Sequence, residues 1–351
     1  MGEGNDCSEG WQEYLLFIPS PYLGKRLNNR RKPKVINYNY LIEKLPETIQ
    51  RGKRSTRLQI GLSIVGIIMA RTRCIIKRRA EFSASHRYWL PELSEAENLS
   101  EFGACAYPMG HGHNYTLLVS MVGEIGDNGM VLNLSEVKHI IAREIISQLN
   151  FRYLNHAWEE FTETLPTTEN LARVIWHRLA PHLPLTNIRI YEHPKLWADY
   201  QGKSMEAHLT VSSHFAAAHR LAMPHLSLEE NTAIYGKCAR PNGHGHNYLV
   251  DITVKGEIDR RTGMIVDLEQ LQQTIDRVVL EPMDHTFLNY DLPYFKDVVP
   301  TAENIAAYIL RVLKPAVAQL GVQIYSVKLT ESPNNSCEVF DQPDLSSVPS
   351  L

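Results

Sequence analysis

The feature that most constrains the fold is a long internal repeat. The segment Gly110–Tyr115, Gly-His-Gly-His-Asn-Tyr, returns unchanged 133 positions later as Gly243–Tyr248. At the same offset, Phe82–Arg87 returns as Phe215–Arg220. A period of this length is that of a whole domain rather than of a short solenoid unit. The sequence therefore predicts two tandem copies of one domain.

Both copies show the same order of secondary-structure signals. Alternating runs predict strands, apolar residues at i, i+3 and i+4 predict helices, and Gly-containing turns separate the strands. A second helix begins at each Pro-Thr-x-Glu-Asn block, where the threonine can cap the helix. The resulting class is α+β with antiparallel strands. The predicted strands are Tyr115–Val122, Tyr248–Val254, Ile188–Glu192 and Gln323–Glu331, and the first helices are Leu134–Leu149 and Leu268–Val279.

The length of 351 residues suits about two domains. We expect a first domain over 69–200, a second over 207–341 and a C-terminal tail over 342–351. Residues 1–68 form a basic leader, expected to be a flexible or peripheral arm or, as we favour, untranslated upstream sequence with Met69 as the true start.

Charge and cysteine content exclude several classes of protein. Residues 1–79 hold 16 Lys/Arg and 6 Asp/Glu, so the rest of the chain is acidic and unsuited to a general nucleic-acid surface. The apolar run Leu58–Ala70 is too short to span a bilayer. Five scattered cysteines and no secretory signal indicate free thiols in a reducing compartment, which predicts a cytoplasmic protein without membrane partners.

The repeated histidines predict a metal site in each copy. In His-Gly-His on a strand, the two rings point to one face and can reach a single ion. A third histidine stands 25 residues upstream in both copies. Three neutral imidazoles leave a fourth position open for water or substrate, and zinc is the default ion for such a set. The predicted Zn²⁺ ligands are His86, His111 and His113 in the first copy and His219, His244 and His246 in the second.

The combined motifs resemble those of a known enzyme family. Each copy has Phe-x-x-x-His, Cys-x5-His-Gly-His-Asn-Tyr, Pro-Thr-x-Glu-Asn and a late Glu, and the second copy adds Asp-His-x-x-Leu-Asn. This set resembles the 6-pyruvoyltetrahydropterin synthase and 6-carboxytetrahydropterin synthase family over residues 80 to about 340.

The resemblance implies a fold, a reaction and an assembly. The fold would be the tunnelling fold, a four-stranded antiparallel sheet with two helices, whose sheets close into a barrel on oligomerisation. The reaction would be zinc-dependent elimination of triphosphate from 7,8-dihydroneopterin triphosphate, a small-molecule substrate. If three copies close a barrel and two barrels stack, three tandem chains supply six copies, which predicts a homotrimer.

The resemblance also implies roles for particular residues. Cys238, Asp284 and His285 match the family's catalytic set. The expected substrate-binding residues are Glu331, Thr301 and Glu303 in the second copy and Glu192 and Glu169 in the first. A thiolate near zinc can act as a base, and an Asp-oriented histidine can relay protons near neutral pH.

The first copy departs from this pattern. It keeps Cys105, but Asn150 and Phe151 stand where Asp284 and His285 are expected. Phenylalanine cannot transfer protons, so this copy alone would not complete the reaction. Either the first copy is a structural partner, or Cys105 works with Asp284 and His285 in a composite site between the copies.

The Cys-x5-His spacing favours the pyruvoyl product among three functions left open. The second is formation of the 6-carboxy product with loss of acetaldehyde, in the queuosine and deazapurine pathway. The third is a non-catalytic pterin-binding scaffold. A zinc hydrolase is disfavoured because no His-Glu-x-x-His motif is present. Arg87, Arg220 and Lys328 are candidate phosphate contacts.

Overall fold

The computed structural model describes residues 72–341. The predicted leader over 1–68, its apolar run and the tail over 342–351 lie outside these residues. The described part falls within one compact unit that contains both repeats.

The first repeat contains five strands and four helices. After β2, helix α2 continues through a π-helical turn, Ala142–Ile146, to Ser147–Leu149. A short 3-10 segment, Gly103–Ala106, leads towards β2. In chain order the elements are β1 Arg73–His86, α1 Glu95–Phe102, β2 His111–Glu124, α2 Leu134–Ile141, β3 Arg152–Tyr153, α3 Glu160–Glu163, α4 Thr168–Leu179, β4 Leu185–His193 and β5 Leu196–Tyr200.

The second repeat follows the same order with closely matching lengths. Helix α6 also passes through a π-helical turn, Asp276–Leu280, before Glu281–Met283. The 3-10 segment Gly236–Ala239 matches that of the first repeat. The elements are β6 Glu206–His219, α5 Leu228–Tyr235, β7 His244–Glu257, α6 Leu268–Ile275, β8 Thr286–Phe287, α7 Leu288–Asp291, α8 Ala302–Ala318, β9 Gln323–Ser332 and β10 Asn335–Phe340.

The predicted α+β class and the duplication are confirmed. Each repeat has a four-stranded antiparallel sheet, and a two-residue strand (β3 or β8) adds to it in parallel. Strands β2 and β7 begin four residues earlier than predicted, at His111 and His244, because these residues extend the ladders with β1 and β6. The predicted threonine caps are present: Asn170 N–H donates to Thr167, and Asn304 N–H donates to Thr301.

One continuous sheet joins the two repeats. Its order is β10-β9-β7-β6-β5-β4-β2-β1-β3, with β8 on the edge of β6. The connection is the antiparallel pairing of β5 with β6, in which Ala198 stands opposite Leu209. Helices α2, α4, α6 and α8 pack apolar residues on the sheet, and the resulting core cluster runs through both repeats. The repeats therefore share both a sheet and a core.

This shared sheet bears on the expected assembly. Three chains with two consecutive repeats in one sheet cannot fill two separate three-repeat barrels, since one chain would have to divide its repeats between the barrels. That particular arrangement does not fit the described sheet. The homotrimer itself stays a prediction.

Among residues 72–341, no helix has both the length and the apolar character needed to cross a bilayer.

The turn before α6 provides a test of the junction between the repeats. A Cβ on Gly263 would lie 2.7 Å from the carbonyl oxygen of Leu165 in the first repeat. Gly321 has a similar positive φ, +82° against +77°, but no neighbour within 4 Å of such a Cβ. Gly263→Ala should therefore lower the free energy of unfolding by about 1–3 kcal/mol more than Gly321→Ala. Equal losses in urea denaturation would contradict this packing.

Candidate metal centres

Each predicted histidine triad converges at the end of a β-hairpin. In the β1–β2 ladder His86 stands opposite His111, and Ala84 opposite His113, so the three rings share one face. The Nε2 of His86 lies 3.2 Å from that of His111 and 3.1 Å from that of His113. In the second repeat, the Nε2 atoms of His219 and His244 are 3.1 Å apart.

The buried histidine of each triad is held by its other ring nitrogen. The Nδ1 of His86 lies 3.2 Å from the Pro166 carbonyl oxygen, and that of His219 lies 2.8 Å from the Pro300 carbonyl oxygen. A proton on Nδ1 that donates to the carbonyl leaves Nε2 with its lone pair towards the centre of the triad. This is the usual outer contact of a metal-binding histidine.

The donor set fits a divalent ion. Tetrahedral zinc with Zn–N bonds of 2.0–2.1 Å requires ligand nitrogens about 3.3 Å apart, close to the spacing of these rings. The Nε2 of His246 is buried and has no hydrogen-bond partner among the described residues. Such an orphaned nitrogen is costly unless a ligand satisfies it. No other cluster of the described residues gathers three histidine, cysteine or carboxylate ligands.

Burial favours the neutral form of four of these imidazoles, which is the form that binds metal. Desolvation lowers the pKa of His86 to about 4 and lowers the pKa values of His113, His219 and His244 below the usual range. Protons therefore compete weakly for these nitrogens at neutral pH.

The late glutamate of each repeat lies beside its triad. Glu192 Oε1 is 3.5 Å from the Nε2 of His113, and Glu331 Oε1 is 3.6 Å from that of His246. The Thr168 hydroxyl donates to Glu192 Oε2 at 2.6 Å, a contact that sequence reasoning missed. Ala302 occupies the matching position in the second repeat, so Glu331 has no such partner. The two carboxylates are thus held differently.

The cysteines stand in the two 3-10 segments that precede β2 and β7. Burial, followed by the Glu192 carboxylate, raises the pKa of the Cys105 thiol. The carbonyl of Cys105 accepts the Tyr88 N–H, and that of Cys238 accepts the Leu221 N–H. These contacts fix each cysteine just beyond the strand that carries the buried histidine. Forming a thiolate at Cys105 requires nearby positive charge.

Asp284 and His285 form an oriented acid–base pair in the second repeat. Asp284 accepts the Ala216 N–H through Oδ1 and faces His285 Nδ1 through Oδ2, both at 2.8 Å. The Ala216 hydrogen bond, with a further contribution from His285, lowers the pKa of the Asp284 carboxyl. The ionised carboxylate thus fixes the ring with its Nε2 available. The His285 side chain is 84% exposed.

The first repeat has the same local backbone geometry at these two positions, but it has no acid–base pair there. Asn150 Oδ1 accepts the Ser83 N–H at 3.0 Å, matching the Asp284 contact. Phe151 and His285 both have φ of 57°, an uncommon backbone conformation for such residues. The structure thereby supports the pairing of Asn150 with Asp284 and of Phe151 with His285. Phe151 is 83% exposed.

The glutamate of the Pro-Thr-x-Glu-Asn block has a different environment in each repeat. Glu169 is 4% exposed and accepts the Ile265 N–H at 3.1 Å, across the junction between the repeats. Burial raises the pKa of Glu169 to about 7. The Thr167 hydroxyl donates to the Gly263 carbonyl in the same junction. Glu303 is exposed and Thr301 is half-buried.

Two of the three candidate phosphate contacts donate hydrogen bonds to backbone carbonyls. Arg87 donates from Nε to the Ala106 carbonyl, and Arg220 donates to the Ala239 carbonyl. Lys328 stands on β9 opposite Asp251 and Glu338 in the sheet. These contacts provide no support for a phosphate role.

The comparisons with known proteins agree on one family. The family model described as 6-pyruvoyl tetrahydropterin synthase matches residues 75–203 and again residues 208–342. The 6-pyruvoyl tetrahydrobiopterin synthase of Pongo abelii is 47% identical over 134 residues, which cover 38% of this chain and 91% of that protein.

A solved structure and an archaeal protein are also similar to this chain. The solved structure of 6-pyruvoyl tetrahydropterin synthase from Caenorhabditis elegans is 35% identical and covers 40% of this chain and 99% of that chain, with a TM-score of 0.38. A putative 6-carboxy-5,6,7,8-tetrahydropterin synthase of Archaeoglobus fulgidus is 28% identical over 129 residues, or 37% of this chain and 91% of that protein.

The two triads predict two metal equivalents per chain. His86→Ala and His219→Ala should each remove one equivalent, because each deletes the buried ligand of one triad. His214→Ala is the control, since His214 lies exposed on the same strand as His219. Elemental analysis of the purified variants measures this. Two retained equivalents in either triad variant would contradict the assignment.

Proposed function

The chain belongs to the 6-pyruvoyl tetrahydropterin synthase family, and on that premise we propose that it is a lyase that converts 7,8-dihydroneopterin triphosphate to 6-pyruvoyltetrahydropterin and releases triphosphate. The observation that carries this proposal is the histidine triad with a glutamate beside it, present in both repeats. Free cysteines within residues 72–341 agree with a cytoplasmic location.

We propose that zinc occupies both triads. When bound, it polarises the hydroxyl groups of the substrate's side chain and stabilises the negative charge that develops as their carbons lose protons. The chain itself supplies the neutral imidazoles. Backbone carbonyls hold the rings of His86 and His219, and the β1–β2 and β6–β7 ladders position the other four histidines. Glu192 and Glu331 are the groups that would anchor the pterin, because a carboxylate accepts two hydrogen bonds from its amino and ring N–H donors.

We infer that the working site is composite. Strand β8, which directly follows Asp284 and His285, occupies the same edge of β6 that pairs with β5. The acid–base pair therefore adjoins the β6 edge that joins the first repeat, and His285 also lines a cavity with His246 of its own repeat. Cys105 is the base on the first-repeat side, and His285 passes protons with its ring held by Asp284. On the side of the second repeat that lies away from the first, the described residues include no Asp-His pair that could serve Cys238.

Glu169 and Thr167 complete the first-repeat side of this site. Their hydrogen bonds to the 263–265 backbone hold the second repeat against the start of α4, and in this proposal the second repeat thereby closes the site of the first. We propose that Thr301 and Glu303 serve the second-repeat site in the same way.

The alternative product, 6-carboxytetrahydropterin, retains support from the archaeal relative at 28% identity. The 47% identity to a pyruvoyl-forming enzyme favours the pyruvoyl product.

Product analysis tests the proposed reaction. Zinc-loaded protein incubated with dihydroneopterin triphosphate should yield a pterin with a pyruvoyl side chain, identified by mass spectrometry. Chelator-treated protein is the control and should yield none. A carboxyl side chain with acetaldehyde would establish the alternative. Binding of substrate without any product would leave a pterin-binding scaffold.

The oriented acid–base pair gives a second test. His285→Phe installs the residue that the first repeat already has, so it should fold normally and keep its metal. Loss of proton transfer should lower kcat by about 10²–10⁴-fold. Phe151→Ala is the matched control, at the same backbone conformation, and should retain turnover. A His285→Phe variant with normal kcat would remove His285 from the mechanism.

A further inference from the structure

One side chain differs between two otherwise matching segments next to the metal centres. Two residues after the buried histidine, the first repeat has Tyr88 and the second has Leu221. The Tyr88 N–H donates to the Cys105 carbonyl and the Leu221 N–H to the Cys238 carbonyl, both at 2.9 Å. The arginine just before each of them donates its N–H to an asparagine side chain, at 2.9 and 2.8 Å. The backbone contacts are therefore the same, and the difference between the repeats at this position lies in the side chain.

The ring of Tyr88 is enclosed beside the first histidine triad. Its centroid lies 4.8 Å from that of His86, edge to face, and 6.2 Å from that of Phe102. The ring belongs to a small apolar cluster against which Cys105 and Met264 also pack, the latter from the second repeat. These contacts hold the tyrosine against the buried histidine of the triad.

The hydroxyl of Tyr88 is the exception among the four buried tyrosines of residues 72–341. Each of the other three, Tyr115, Tyr200 and Tyr248, has its hydroxyl within 3.5 Å of a hydrogen-bond partner. Tyr88 is 8% exposed, yet its hydroxyl has no such partner among the described residues. A buried tyrosine usually pairs its hydroxyl, because an unpaired polar group is costly away from water. A ligand in the adjacent site is the natural partner for this one.

The electrostatic surroundings of Tyr88 are those of the first-repeat site. Burial, followed by the charges of Glu192, Tyr115, Glu169 and Cys105, raises the pKa of the Tyr88 phenol. The phenol therefore lies within electrostatic range of both carboxylates and of the thiol. A phenol is protonated at neutral pH even without such a shift, so this hydroxyl is available as a hydrogen-bond donor.

We propose that the Tyr88 hydroxyl donates a hydrogen bond to the ring carbonyl of a pterin held by Glu192, and so sets the specificity of the first-repeat site. This inference rests on the proposed function. The carboxylate accepts the amino and ring N–H donors of the pterin, and the ring carbonyl is the next group along the same edge. A donor near that carboxylate meets the carbonyl, which would otherwise be buried without a partner.

The second-repeat site lacks this contact because Leu221 has no donor. Leaving a carbonyl unpaired in a buried site costs more than the hydrogen bond itself contributes, so the two sites differ in their affinity for the same ring. The site with Tyr88 binds the pterin more tightly. It also discriminates against pteridines that lack the carbonyl, since they leave the hydroxyl unpaired.

Tyr88→Phe in the full-length, zinc-loaded chain tests the hydroxyl alone, because phenylalanine keeps the ring contacts with His86 and Phe102. The inhibition constant of 7,8-dihydroneopterin, which lacks the triphosphate leaving group, reports pterin affinity at the working site. This constant should rise about 5–100-fold. KM should rise with it, while kcat and the metal content stay unchanged. Tyr107→Phe is the matched control, since Tyr107 closely follows Cys105 but is 57% exposed, and it should leave the constant unchanged.

A second ligand identifies the acceptor atom. With 2-amino-7,8-dihydropteridine, which has no ring carbonyl, Tyr88→Phe and the wild-type protein should have equal inhibition constants. An unchanged constant for dihydroneopterin in Tyr88→Phe would show that the tyrosine only packs, and a loss of equal size with both ligands would place the hydroxyl's partner elsewhere. Either result would overturn the proposal. Absence of product from the wild-type protein would instead overturn the proposed function on which this inference rests.

Discussion

The pairing of β5 with β6 is the contact on which the rest of the structure depends. It turns two domain-sized repeats into one sheet and brings the 263–265 turn over Glu169. It also places β8, with Asp284 and His285 just before it, on the edge that faces the first repeat. Without this contact, the edges of β5 and β6 would be open. The duplication therefore acts as an internal dimer whose two halves are not equivalent.

Under the proposed composite site, this non-equivalence gives different chemistry to two similar candidate metal centres. Both have three converging imidazoles and an adjacent glutamate. The first adds Thr168 beside Glu192, and in the proposed composite site it would use His285, whose ring Asp284 orients. In the second repeat, His246 of the triad and His285 line a common cavity. Loss of Asp and His from one copy is tolerable if each working site draws its acid–base pair from the other copy. The proposed composite site would give each chain one complete site.

Sequence patterns predicted the parts of the site that are local. The His-x-His spacing on a strand gives the directions of both rings, and the third histidine follows from ladder pairing, so all six candidate metal ligands were identifiable. The β5–β6 pairing, the burial of Glu169 and the backbone conformation of His285 arise from packing between distant segments, which no local period encodes. The Thr168 contact to Glu192 was missed because it joins a helix start to a strand end 24 residues away.

The central claim is that catalysis takes place between the repeats, with Cys105 as the base. Steady-state turnover of Cys105→Ala beside Cys238→Ala, each with its metal content verified, tests it most directly. The composite site predicts that Cys105→Ala abolishes turnover and that Cys238→Ala retains it. Retention in Cys105→Ala with loss in Cys238→Ala would show that the second repeat works alone, and would contradict the account.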